Sequence, residues 1–201
     1  MDLLRLLWLV LELAWSDPIV ERALTECPTN RRPDRAVVIE LFRLEIEAGV
    51  PRAVRGLLVA AACAESGYRA APRGHSDGGR ARGMFQFWSW ARSAIRRHGA
   101  TTEDPRDDWR ASARFWLEHV QRMLPRVRRD CEGRRGYPSH EIARWAAANL
   151  TAVSAPLRDA RGRFRARCAR ARRHETRHLR LLRAWRGWPR TRGTARAPTG
   201  R

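Results

Sequence analysis

The order of apolar and polar positions along the chain is helical almost throughout. Asp34 is suited to cap a helix start. After it, Val37, Val38, Leu41, Phe42 and Ile46 recur at the spacing of a one-faced helix that stops at Gly49. Pro51 opens a second helix, predicted over residues 51–66. Its Val54, Leu57, Leu58, Val59, Ala60, Ala61, Ala62, Cys63 and Ala64 leave almost no polar face, which places it in the core. Residues 67–82 are rich in Gly, Pro, Ser and Asp and read as a loop, with room for one small β-hairpin around 71–82. Further helices are predicted over 87–97, ending at His98-Gly99, and over 105–123, opened by Asp104-Pro105 with Trp109, Ala113, Trp116, Leu117 and Val120 inward. Ser139 caps another, carrying Ile142, Trp145, Ala146 and Asn149, and a basic helix runs over 162–185. No strand-like alternation and no internal repeat accompany these elements, so the fold class is mainly α.

Length and charge divide this pattern. The 201 residues suit one domain with tails. No apolar run reaches the roughly 18–20 residues that span a bilayer. Residues 1–16 form a candidate signal peptide, with an apolar stretch from Leu6 to Leu11 and small residues Ala14 and Ser16 before Asp17. The alternative is a first amphipathic helix packed on the domain. All 41 basic residues are Arg, as expected of a GC-rich genome, so part of the net charge of +20 carries no message. Its distribution says more. Residues 17–157, the predicted domain, hold 24 Arg and 17 acids, whereas residues 158–201 hold 16 Arg and two acids. That C-terminal block divides into a basic helix, 158–187, and a tail, 188–201, predicted to be disordered. Such a block suits polyanions, whether anionic cell-wall or envelope polymers, lipid or nucleic acid. Cys27, Cys63, Cys131 and Cys168 allow two disulfides in three pairings, and Cys63 alternatively reads as a small buried residue.

Glu65 stands out chemically. It closes the apolar helix directly before Ser66-Gly67, and no other carboxylate lies between Glu47 and Asp77. A carboxyl buried against apolar neighbours keeps its proton to higher pH and can pass it to a glycosidic oxygen. A solvent-facing Glu in a last helical turn is the plain alternative. Ala64-Glu65-Ser66-Gly67-Tyr68 resembles the Glu-Ser-x-Tyr/Phe motif of lytic transglycosylases, where the Glu is catalytic. Eighteen residues after Glu65 begins Gly83-Met84-Phe85-Gln86-Phe87, preceded by Gly79-Arg80-Ala81-Arg82. This is similar to the family's Gly-x-Ala-x-Gly-Leu-Met-Gln-Ile segment, which lines the sugar groove. Asp104-Pro105-Arg106-Asp107-Asp108-Trp109-Arg110-Ala111 resembles the opening of its Asp-Pro-x-x-Asn-Ile-x-Ala helix. Ala147-Ala148-Asn149-Leu150 corresponds to its Ala-Tyr-Asn-Ala-Gly segment, with Ala148 where the family has the Tyr that bonds the catalytic Glu; Tyr137 is the nearest Tyr.

The resemblance covers residues 36–155 and implies a lysozyme-like helical domain acting outside the cytoplasm as a monomer. It implies cleavage of peptidoglycan glycan strands between N-acetylmuramic acid and N-acetylglucosamine. Glu65 would be the catalytic acid and base, and Ser66, Tyr68, Gly83, Met84, Phe85, Gln86 and Asn149 would bind substrate. The product would carry a 1,6-anhydromuramic end, and no metal or organic cofactor is implied. A hydrolase of the lysozyme kind would instead use water, with Asp77 as candidate second carboxylate. Among the aromatics of this region, Tyr68 and Phe85 are expected at the groove, and at least one of Trp88 and Trp90 in the core. Two other classes stay open: an inactive peptidoglycan-binding module, and a nucleic-acid-binding protein driven by the Arg block, though nothing points to a specific nucleic-acid sequence. His174-Glu175-Thr176-Arg177-His178 spells the His-Glu-x-x-His of zinc proteases. Arg172, Arg173, Arg177 and Arg180 oppose a cation there, and the plain reading is a solvated helix face with Leu179, Leu182 and Trp185 inward.

Overall fold

The computed structural model describes residues 18–29, 33–70, 80–131, 144–145, 148–149 and 177–187. These are mainly helical, with no strand among them. Helix α1 covers 18–26. It is followed by α2 (Arg35–Glu47), α3 (Leu57–Ser66), α4 (Arg92–Arg97), α5 (Trp109–Cys131) and α6 (Arg177–Arg186). The candidate signal peptide, the hairpin segment 71–79 with Asp77, Tyr137, His174, Glu175, Cys168 and the C-terminal tail lie outside the described residues.

Helix α3 is the centre. Nine of its ten residues are buried, Glu65 being the exception, and α2, α5 and α6 pack around it. Helix α2 starts where the sequence indicates, with the Asp34 carboxylate accepting the Ala36 N–H at 2.8 Å. It buries Val38, Leu41, Phe42, Leu44 and Ile46. Helix α3 starts later than predicted. Pro51 begins only one 3₁₀ turn, Arg52–Val54, and the chain breaks at Gly56, whose φ is +97°. A Cβ at Gly56 would lie 2.8 Å from Leu182 Cδ1 and 3.3 Å from Ile19 Cγ2, so glycine there lets α1 and α6 close on the start of α3.

The start of α3 has no side-chain cap of its own. Glu45, fully buried on α2, supplies one: its two carboxyl oxygens accept the N–H groups of Gly56 at 2.6 Å and Leu58 at 2.7 Å. Burial pushes the Glu45 pKa up to about 7, against the pull of those two N–H groups and of Arg186 and Arg55.

Two fastenings complete the frame. Cys27, just beyond α1, is disulfide-bonded to Cys63 of α3. Helix α6 lies along α3 and sends Leu179, Leu182 and Trp185 into the common core, as its apolar spacing predicts. Arg22 of α1 donates to the Trp185 and Ala184 carbonyls at 2.9 and 3.1 Å, closing the end of α6. Arg186 donates to the carbonyls of Arg55 (2.7 Å) and Arg52 (2.8 Å). This part of the arginine-rich segment is thus built into the domain. Helix α5 is longer than predicted: it runs through Pro125, and burial of Met123 and Val127 on either side keeps it on the core.

Candidate active site

Helix α3 ends at Gly67, in a left-handed conformation with its N–H bonded to the Cys63 carbonyl at 2.9 Å. A Cβ there would meet Thr29 Oγ1 at 2.8 Å. The last turn therefore lies against the segment that follows the disulfide, and Glu65 projects from it with 36 % of its side chain exposed. The carboxyl is more open than burial among apolar neighbours would make it. What stands behind it is an imidazole: His178 Nε2 lies 2.7 Å from Glu65 Oε1. The His178 side chain is only 3 % exposed. Its other nitrogen, Nδ1, faces the fully buried Asn149, 3.2 Å from Nδ2 and 3.4 Å from Oδ1. Three distant parts of the sequence thus form one hydrogen-bonded line, Glu65, His178, Asn149. Held from within by one oxygen and open to solvent otherwise, the carboxyl can exchange a proton with a ligand outside.

The second motif forms a tight turn beside the start of α5. Arg82 and Phe87 pair as a single antiparallel bridge, each N–H bonded to the other's carbonyl at 3.0 Å. Gln86 closes the turn through its N–H and its side-chain Nε2, both donating to the Gly83 carbonyl, at 3.0 and 2.9 Å. The turn is clamped by the third motif. Arg106, bound to the Asp104 carboxylate, donates to the carbonyls of Arg80 (2.9 Å) and Phe87 (3.2 Å), and Arg82 pairs with Asp107 at 2.8 Å. Arg106, as the strongest of several causes, holds the Asp104 carboxyl well below the usual range, at about 2. Gly83 has φ +78°, and a Cβ on it would fall 1.8 Å from the Arg106 carbonyl oxygen, so only glycine fits.

Among the described residues, the non-glycine residues at positive φ are Tyr68 (65°) and Gln86 (51°), one in each of the first two motifs. Backbone strain of this kind persists only where its surroundings enforce it, and it gathers at functional sites. The other residues singled out in the sequence are mostly interior. Ser66 donates to the Ala62 carbonyl at 3.1 Å, Met84 is core, and Phe85 packs with Phe87 and Trp116. Tyr68 is buried with a hydroxyl that has no protein partner, and burial pushes its pKa up. Trp88 and Trp90, at least one of which was expected in the core, are instead exposed at 46 % and 58 %. They offer the broad aromatic faces of this region to solvent, and Trp90 rests on Phe87, Phe115 and His119.

Comparison with known protein families, with characterised proteins and with solved structures returns no match to this chain. Sequence reasoning missed His178 as a partner of Glu65. The signal was available, because His178 shares with Leu182 and Trp185 the i, i+4, i+7 spacing of the inward face of α6. Among the described residues no group of three His, Cys, Asp or Glu side chains converges as metal ligands. His178, the described histidine of the zinc-protease pattern, turns to Glu65 instead.

Proposed function

We propose that the chain cleaves the glycan strand of bacterial peptidoglycan between N-acetylmuramic acid and N-acetylglucosamine, with Glu65 as acid and base, in the manner of a lytic transglycosylase of lysozyme-like fold. The observation that carries this reading is the exposed Glu65 carboxyl backed by a buried imidazole. The strained Tyr68 and Gln86, in the two motifs that resemble the family's site, support it. In its acid form Glu65 gives its proton to the glycosidic oxygen, which leaves with the bonding electrons. As carboxylate it then takes the proton of the muramyl O6 hydroxyl, whose oxygen bonds to the anomeric carbon and closes the 1,6-anhydro ring. One residue serves both steps and is returned in its starting form.

The Cys27–Cys63 disulfide supports an extracytoplasmic site of action, since such bonds persist in oxidising compartments. The remaining arginine-rich sequence would add attraction to anionic wall polymers. Digestion of purified peptidoglycan, read by mass spectrometry, tests the reading. Anhydromuramic ends released by the wild type and absent with Glu65→Gln are the expected result. Reducing muramic ends would make water the acceptor. Glycan bound but left intact by both proteins would overturn the cleavage reading and leave a binding module.

A further inference from the structure

We infer that His178 is a positioning residue that decides which oxygen of Glu65 carries the catalytic proton, and that Asn149 sets the tautomer that lets it do so. The inference rests on the cleavage reading for its consequence in catalysis, but its geometry stands by itself. A neutral imidazole has one N–H and one lone pair, and whichever nitrogen meets a donor must be the acceptor. As a carboxylate Glu65 can only accept, so its 2.7 Å contact with His178 calls for the ring proton on Nε2, and Asn149, whose Nδ2 and Oδ1 both lie near Nδ1 at 3.2 and 3.4 Å, matches that ring by turning its Nδ2–H to Nδ1. Donation from Nδ2 makes Nδ1 the acceptor and leaves the ring proton on Nε2. That proton points at Glu65 Oε1, 2.7 Å away. An Oε1 that already accepts a hydrogen bond is the poor place for a carboxyl proton, so the acid proton sits on Oε2. Among the described residues, Glu65 makes no other hydrogen bond, so Oε2 is the oxygen left to face a ligand. After transfer the same Nε2–H supports the carboxylate, and no group has to move.

The buried position of all but the carboxyl makes this line rigid. Asn149 is fully enclosed, and His178, itself buried, stands on a helix whose Leu179, Leu182 and Trp185 lie in the core and whose end is latched by Arg22 and Arg186. The line also answers a vacancy seen in the sequence. Ala148, where the resembling family places its Tyr, is buried and has no group to offer Glu65, while the imidazole arrives from a different helix.

The test uses the full chain and the isosteric change Asn149→Asp. A carboxylate at 149 cannot donate and draws a proton to Nδ1; a neutral ring then turns only a lone pair to Glu65, so the bond is removed or inverted with the shape of the site kept, and the ¹⁵N spectra distinguish this ring from one protonated on both nitrogens. We expect peptidoglycan cleavage to lose about 10²-fold in kcat with KM nearly unchanged. His178→Gln, whose amide can still donate near the Nε2 position, should retain more activity than His178→Ala. Imidazole ¹⁵N spectra of the folded proteins provide the second readout: a protonated Nε2 in wild type, and a protonated Nδ1 in Asn149→Asp. A folded Asn149→Asp protein with wild-type kcat overturns the inference, and so does a wild-type ring protonated on Nδ1 alone. If the wild type cleaves no peptidoglycan, the functional reading fails separately, and the spectra still decide the tautomer.

Discussion

Two glutamates meet the two ends of α3, and they are put to opposite uses. Glu45 comes from α2 to the start of the helix, is sealed from solvent, and spends both oxygens on backbone N–H groups. Glu65 belongs to the last turn, keeps a third of its side chain in solvent, and meets a side chain that can itself move a proton. The first is a structural cap, because every acceptor it has is taken by groups that need it for the fold. The second has a free side, which is what proton exchange with a substrate requires. The contrast teaches that burial of a carboxyl does not by itself mark a catalytic acid; its unclaimed oxygen and its partner do.

The strongest way to break this contrast is to exchange oxygens for amides at both ends. Glu65→Gln should abolish glycan cleavage, by about 10³-fold or more, while unfolding free energy changes by no more than about 0.5 kcal/mol. An active Glu65→Gln protein would end the assignment.

The next effect is on the frame beneath Glu65. Replacing Cys27 and Cys63 by serine removes a link across a separation of 36 residues. The chain-entropy relation puts that at about 4 kcal/mol, visible as a lower melting temperature. Unchanged melting would mean that the covalent tie contributes nothing to the Glu65 end.

The Glu45 end should announce itself through pH. Its pKa is about 7 in the folded protein against 4.5 in an unfolded chain, so the folded state holds the proton more tightly. The stabilisation from this group is complete below pH 4.5 and is lost as pH rises to about 7. Over that window it amounts to about 3 kcal/mol, and Glu45→Gln should flatten it. Urea unfolding at a series of pH values reads both curves; parallel curves for the two proteins would remove Glu45 from the account. The smallest effect sits on the helix that carries Glu45: Asp34→Ala removes the α2 cap and should lower stability by about 1 kcal/mol, with cleavage unaffected.

How far the sequence reached follows from which forces act locally. The cap at Asp34, the one-faced α2, the all-apolar α3 and the inward Leu179, Leu182 and Trp185 are local patterns, and the structure keeps them. Three features are set by packing at a distance. The start of α3 is displaced because α1 and α6 close on Gly56. The passage of α5 through Pro125 is held by burial on either side. Glu45 sits on the same apolar stripe as Val38, Leu41 and Phe42, seven residues after Val38, and that polar intruder was the one local hint of its role. His178 was hidden by composition, because its arginine neighbours and the zinc-protease pattern drew it to the solvated face, although it shares the spacing of Leu182 and Trp185. Phe85 and Met84 looked like groove residues from their place in a motif, but the clamp by Arg106 turns that motif's side chains into the aromatic core.

The hydrogen bond between Glu65 and His178 joins residues 113 positions apart. Its timing during synthesis follows from that number. While the chain grows from its N-terminus, Glu65 is made 113 residues before the imidazole that orients it, and any fragment that ends before residue 178 carries the acid without its partner. Such a fragment would present the carboxyl without the buried imidazole that holds its inner oxygen.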